Sequence, residues 1–175
     1  LLVGRALVSS GCTTKIALLA PTGKAAARLG EAIARGKDTL GCAREILDAI
    51  PTEATTIHRG LGTRWDRATA FRHDRSHPLA ADVVVVDEAS MVDLALMTKL
   101  FCAVRERSRI VLLGDEHQLA SVEVGSVLRD ISDGAPRDCV VRLTKSHRFD
   151  PSSGIGAIST AIREGRANDV LELLR

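Results

Sequence analysis

Adjacent acids at the end of an apolar run, Asp87-Glu88 after four valines, form the most chemically charged pattern in the sequence. Two neighbouring carboxylates at the end of a buried strand are costly unless something neutralises them. Mg2+ beside a nucleotide's phosphates is a natural partner: Asp87 would hold the ion, directly or through water, and Glu88 would orient and deprotonate an attacking water. The competing reading is a polar strand end that caps the next helix. A second apolar run ends in Gly114-Asp115-Glu116-His117-Gln118. The Gln118 amide both donates and accepts, so it could register a γ-phosphate or a water; otherwise it is an exposed loop residue. Arg148, in Lys145-Ser146-His147-Arg148-Phe149, follows a third run. It could offset charge on a transferring phosphoryl group, or simply sit on the surface.

Ala20-Pro21-Thr22-Gly23-Lys24-Ala25 contains a Gly-Lys pair but is no phosphate loop. The pattern G-x-x-x-x-G-K-[ST] would need glycine at Leu18 and Ser or Thr at Ala25. What remains is a strand turning into a helix whose first-turn amides, with Thr22 and Lys24, can hold a phosphate of a nucleotide or of a nucleic-acid backbone. Thr56-Ile57-His58-Arg59 repeats the theme: a hydroxyl at a helix start, then two candidate phosphate contacts.

These residues need a scaffold that brings strand ends together. KIALLA at 15–20, DVVVVD at 82–87 and RIVLLG at 109–114 are short, nearly unbroken apolar runs, as expected of parallel strands covered on both faces. CVVRLT at 139–144 reads as a fourth. Helical patterns lie at 24–35, 41–49, 92–104, 124–132, 155–164 and 167–174. The alternation predicts an α/β fold with a mostly parallel sheet and helices on both faces. Ligands of such folds bind beyond the carboxyl ends of the strands, where the candidate residues fall.

The chain's 175 residues suit one domain, and 45% hydrophobic with 26% charged residues reads as soluble and globular. A net charge of +2 neither demands nor excludes a nucleic-acid partner. Cys12, Cys42, Cys102 and Cys139 are scattered, which argues against a zinc site or disulfide framework and for buried thiols in a reducing cytoplasm. No run approaches the roughly 20 apolar residues of a membrane span. The opening LLVGRALVSS reads as the tail of a helix rather than a signal peptide, and the closing Val170–Arg175 stops inside a helical pattern.

Residues 62–73 read as a β-hairpin, with arms Thr63-Arg64-Trp65 and Ala70-Phe71-Arg72 around the turn 66–69. With Trp65 opposite Phe71, an aromatic pair would stabilise a ribbon that is otherwise marginal. The competing reading is a charged loop with one aromatic folded back on the core.

Taken in order, these segments resemble the RecD branch of superfamily 1 DNA helicases. APTGKAAARL is similar to motif Ia and TTIHRGLG to the segment after it. VVVVDEASMVD is similar to motif II, LLGDEHQLASVEVGSVL to motif III, and KSHRFDPSSGIG to motif IV. The runs at 118–123 and 153–156 look closer to the exodeoxyribonuclease V subunits of that branch than to its stand-alone helicases. The resemblance implies a RecA-like P-loop NTPase motor domain (1A) over residues 1–175, with 62–78 as an inserted hairpin (1B). It implies ATP and Mg2+ as cofactors, with Asp87 the metal residue, Glu88 the base, Gln118 the γ-phosphate sensor and Arg148 the motif IV arginine. Pro21, Thr22, Gly23, Lys24, His58 and Arg59 would meet single-stranded DNA, and Trp65 and Phe71 would belong to a pin that parts duplex DNA. Other exodeoxyribonuclease V subunits would be partners, in the cytoplasm and away from membranes. His147 stands where the family has tyrosine. The family's phosphate loop would precede Leu1 and its motifs V and VI would follow Arg175, so this stretch alone would carry half a catalytic site and would not turn over ATP. Two alternatives share part of the pattern: another P-loop ATPase, which would not need motif Ia or the Gln118 turn, and a non-catalytic α/β interaction module or relic.

Overall fold

A computed structural model describes residues 14–41, 43–63, 70–115, 127–143, 154–163 and 165–173. The chain divides into two compact units, Leu1–Asp133 and Gly134–Arg175. The first is built on four strands, β1 (Ile16–Ala20), β2 (Thr55–Thr56), β3 (Val83–Val86) and β4 (Arg109–Leu112), all parallel and in the order β2-β1-β3-β4. The helices are α1 (Gly23–Thr39), α2 (Arg44–Ala49), α3 (Ile57–Leu61), α4 (Leu94–Ala103) and α5 (Val127–Gly134). The expected α/β class and parallel sheet are therefore present. The carboxyl ends of the runs at 15–20, 82–87 and 109–114 lie side by side, because Leu19 pairs with Val86 and Val86 with Leu112.

Why these runs form a parallel sheet follows from their surroundings. Paired residues in a sheet share a face, and alternate residues face opposite sides. Leu19, Val84 and Val86 enter one core with Ile57 and Leu61 of α3 and Leu96, Met97, Leu100 and Ala103 of α4. Leu18, Ala20 and Val83, on the other face, are buried too. A strand buried on both faces has no use for alternation, so DVVVVD shows none. α4 places Leu96, Met97, Leu100 and Ala103 on one stripe, and its start is fixed by Asp93, whose Oδ1 accepts the Leu96 N–H at 2.7 Å. Truncating the fully buried Leu100 to alanine would cost about 2–5 kcal/mol.

Two close approaches hold α1 to its neighbours. Lys37 donates from Nζ to the Ile50 carbonyl at 2.9 Å, and a Cβ on Gly30 would stand 2.6 Å from the Thr52 carbonyl oxygen.

In the second unit, a 3-10 turn (Arg137–Cys139) precedes α6 (Gly154–Arg163) and α7 (Ala167–Leu173), the latter with an Arg166–Asp169 ion pair in its first turn. The strand expected at 139–144 is absent over the described residues. Cys139 ends the 3-10 turn, and Val141 and Leu143 are 81% and 92% exposed. Apolar content alone does not make a strand without a ladder to join. Cys139 is exposed rather than buried, while Cys102 is half-buried. No described helix is long and apolar enough to cross a membrane.

Candidate functional site

The turn after β3 carries Asp87 and Glu88, and both neighbouring strands fix it. The Asp87 N–H donates to the Leu19 carbonyl of β1 at 2.9 Å. On the other side Leu113 donates to the Val86 carbonyl and Ala89 donates back to the Leu113 carbonyl, each at 2.8 Å. Glu88 is driven into the left-handed region, φ 51 and ψ 40, the one non-glycine residue with positive φ among those described. For an L-residue this conformation costs roughly 1–2 kcal/mol, so the surrounding bonds must over-determine it. Both carboxylate residues are half-buried, and Ala89 beyond them is fully buried.

No group of three or more His, Cys, Asp or Glu is gathered among the described residues, so there is no all-protein cage. A pair of half-exposed carboxylates at an open strand end fits Mg2+, which keeps most of its waters and takes one or two carboxylates together with phosphate oxygens.

Beside this turn lies the end of β4. A Cβ on Gly114 would stand 2.6 Å from Leu128 Cδ2, 3.0 Å from the Ser90 nitrogen and 3.3 Å from the Ala89 nitrogen. Glycine at 114 therefore lets the two strand ends close on each other. The Ser90 hydroxyl is buried there without a hydrogen-bond partner. A buried unsatisfied hydroxyl is worth about 1–3 kcal/mol of lost stability. Nothing in the sequence marked Ser90 or the Gly114 approach beyond their places beside the carboxylates.

The turn after β1 is built differently. Pro21 and Thr22 lead into α1, and the Thr22 hydroxyl caps the helix by accepting the Ala25 N–H at 3.2 Å. The Gly23 and Lys24 amides have no carbonyl to meet inside the helix. Thr22, Gly23 and Lys24 are exposed. One strand over, Ala20 pairs with Thr56, whose hydroxyl caps α3 by accepting the Arg59 N–H at 3.2 Å. His58 and Arg59 are exposed on that helix. Two threonine-capped helix starts thus stand on adjacent strand ends. Sequence reasoning placed both threonines at helix starts, as candidate phosphate contacts, but missed β2, which at two residues is too short to leave a pattern.

Past α3, Gly62 caps the helix at φ 73, and the chain returns antiparallel. Thr63 pairs with Phe71, the Arg72 N–H donates to the Gly62 carbonyl at 2.8 Å, and the His73 N–H donates to the Leu61 carbonyl at 2.9 Å. Phe71 thus faces Thr63. Its ring meets His58 edge-on with centroids 5.7 Å apart, and it packs against the core. The Asp74 carboxylate closes the following loop by accepting the Ser76 and His77 N–H groups at 2.8 and 2.9 Å. These bonds, that from His77 first, hold its pKa below the ordinary carboxylate value. Trp65, Gln118 and Arg148 lie outside the described residues.

The AAA domain family matches residues 2–175. The chain is 48% identical over 175 residues to the RecBCD enzyme subunit RecD of Mycolicibacterium smegmatis, covering 99% of the chain and 31% of that protein. It is 40% identical over 201 residues to the subunit of the same name from Haemophilus influenzae, covering 93% and 30%. With the ATP-dependent RecD2 DNA helicase of Deinococcus radiodurans it shares 37% identity over 153 residues, 87% of the chain and 18% of that protein. The chain spans less than a third of each of these relatives. With its parallel sheet, its carboxylate pair at a central strand end and a match that runs its whole length, the chain belongs to the AAA domain family of nucleotide-binding domains, on a stretch that is similar to RecD subunits and RecD2 helicases.

Proposed function

We propose that this chain is the nucleotide- and DNA-handling part of an ATP-dependent DNA helicase motor of the RecD type. The observation that carries the reading is the Asp87-Glu88 turn, bonded to both flanking strands at the carboxyl edge of the sheet and one strand from the exposed Thr22–Lys24 helix start. Bound Mg2+ would neutralise phosphate charge, with Asp87 as its protein ligand. Glu88 accepts the proton of the attacking water. Its strained backbone, fixed on both sides, sets the point from which that carboxylate reaches the water, and general-base assistance needs the base within hydrogen-bond reach. Gln118 senses the γ-phosphate and Arg148 offsets charge in the transition state.

The Gly23 and Lys24 amides, with Pro21, Thr22, His58 and Arg59, track the backbone of single-stranded DNA at the neighbouring strand ends. Residues 62–78 form an inserted hairpin (1B) with Trp65 and Phe71 at its base, and it parts the duplex. The bonds that the His73 and Arg72 N–H groups donate to the Leu61 and Gly62 carbonyls support such a ribbon. The motor works in the cytoplasm with other exodeoxyribonuclease V subunits in double-strand-break repair and recombination.

The test is DNA-stimulated ATPase and duplex unwinding by the full-length gene product that contains this chain, beside a form with 64–72 replaced by a short glycine link. The expected result is ATPase that survives the replacement while unwinding collapses. Unwinding that survives it rejects the pin, and a full-length product without DNA-stimulated ATPase rejects the motor.

A further inference from the structure

Two buried hydroxyl oxygens among the described residues have no hydrogen-bond partner, those of Ser90 and Ser132. Ser132 lies in α5, where the carbonyl four residues back offers an acceptor after a simple rotation. Ser90 is in a different position. It sits in a three-residue 3-10 turn, Ala89–Met91, directly after the two carboxylates. Its neighbour across the gap is the end of β4, close enough that a Cβ on Gly114 would stand 3.0 Å from the Ser90 nitrogen.

An orphaned hydroxyl in the middle of a turn held on both sides is a standing loss of stability unless some state of the protein satisfies it. The change that acts directly on this turn is the arrival of a phosphate-bound cation at Asp87. We propose that Ser90 is a positioning residue for the carboxylate pair. When nucleotide loads the turn, the Ser90 hydroxyl takes up a hydrogen bond to the main chain at Gly114 and locks Asp87-Glu88 to the end of β4. Ser90 touches neither nucleotide nor water. It acts through Glu88, by holding the base in the geometry that the resting turn leaves one bond short. The role rests on the motor reading given above and adds a residue to it.

Full-length wild type, Ser90→Ala and Ser90→Cys, the last keeping the volume but not the strong donor, are compared in two measurements. One is thermal melting with and without Mg2+ and a non-hydrolysable ATP analogue. The other is steady-state DNA-stimulated ATPase. Without nucleotide, both variants should melt at or above the wild-type temperature, because an unsatisfied hydroxyl has been removed. With the analogue, both should gain less than wild type. Their kcat should fall about five- to tenfold, with KM within about twofold. Equal gains on nucleotide binding with unchanged kcat overturn the role, as does a nucleotide-free melting temperature that drops in step with kcat, since that is a packing defect. A wild type without DNA-stimulated turnover removes the motor reading itself; a working wild type with unaltered variants removes only Ser90.

Discussion

The turns that leave β1 and β3 start from adjacent, paired strand ends and are built to opposite rules. After β1 the chain enters a helix with one hydroxyl cap, exposed side chains and open first-turn amides. After β3 the main chain is held on both sides: Asp87 to β1, Ala89 to Leu113, Glu88 in a left-handed conformation, and Gly114 pressed against the backbone. An open, exposed turn suits a ligand that must slide and be exchanged, such as a nucleic-acid backbone. A fixed, strained turn suits chemistry in which a misplacement of an ångström is expensive. On the roles proposed above, the difference teaches that one edge of one sheet separates grip from catalysis by local bonding alone.

The sharpest way to break that division is Glu88→Gln. The amide keeps the shape and loses the base, so single-turnover hydrolysis in the full-length protein should fall by about 10²–10⁴ while nucleotide binding and single-stranded DNA binding persist. Parallel loss of DNA binding would merge the two turns into one function. Gly114→Ala attacks the fixed turn without touching a carboxylate. Its Cβ meets backbone at 3.0 and 3.3 Å, so melting should show a loss of about 1–3 kcal/mol together with reduced ATPase. Lys24→Ala tests the open turn. Affinity for single-stranded DNA should drop and the slope of log K against log salt should shrink by about 0.7, the share of one phosphate, measured by fluorescence anisotropy across a salt series. An unchanged slope would remove Lys24 from the DNA path.

The smallest effect belongs to Asp74, at the foot of the 62–78 segment. Its pKa is lowered by the His77 and Ser76 N–H bonds, so its contribution is present above the ordinary carboxylate value and is lost as pH falls through the lowered one. Melting curves of wild type and Asp74→Ala should therefore differ slightly at neutral pH and converge in acid. A difference that grows in acid would contradict this assignment.

Sequence legibility follows the same physics. The runs at 82–87 and 109–114 announced β3 and β4 because doubly buried parallel strands are unbroken in apolar residues, and Asp87-Glu88 stood out as charge where charge does not belong. Thr22 and Thr56 were readable as hydroxyls at helix starts, and the caps they form are local chemistry within four residues. CVVRLT misled because its residues have the composition of a strand, whereas a strand is made by its neighbours. Ser90, the left-handed Glu88 and the Gly114 approach were invisible, since each depends on two strand ends meeting in space. The opposition of Phe71 to Thr63 was likewise set by register, which a short, turn-centred reading does not fix.

The left-handed backbone at Glu88 has a consequence for anyone who diversifies this sequence. Glycine is at home at φ 51, and asparagine tolerates it far better than most residues, so either would relax the chain at that point. A library sorted only for soluble expression or heat resistance will enrich both at position 88. Each survivor so chosen will have discarded the carboxylate. On the role proposed for Glu88, thermostable clones from such a screen will have lost hydrolysis, and selection at this position must score turnover from the first round.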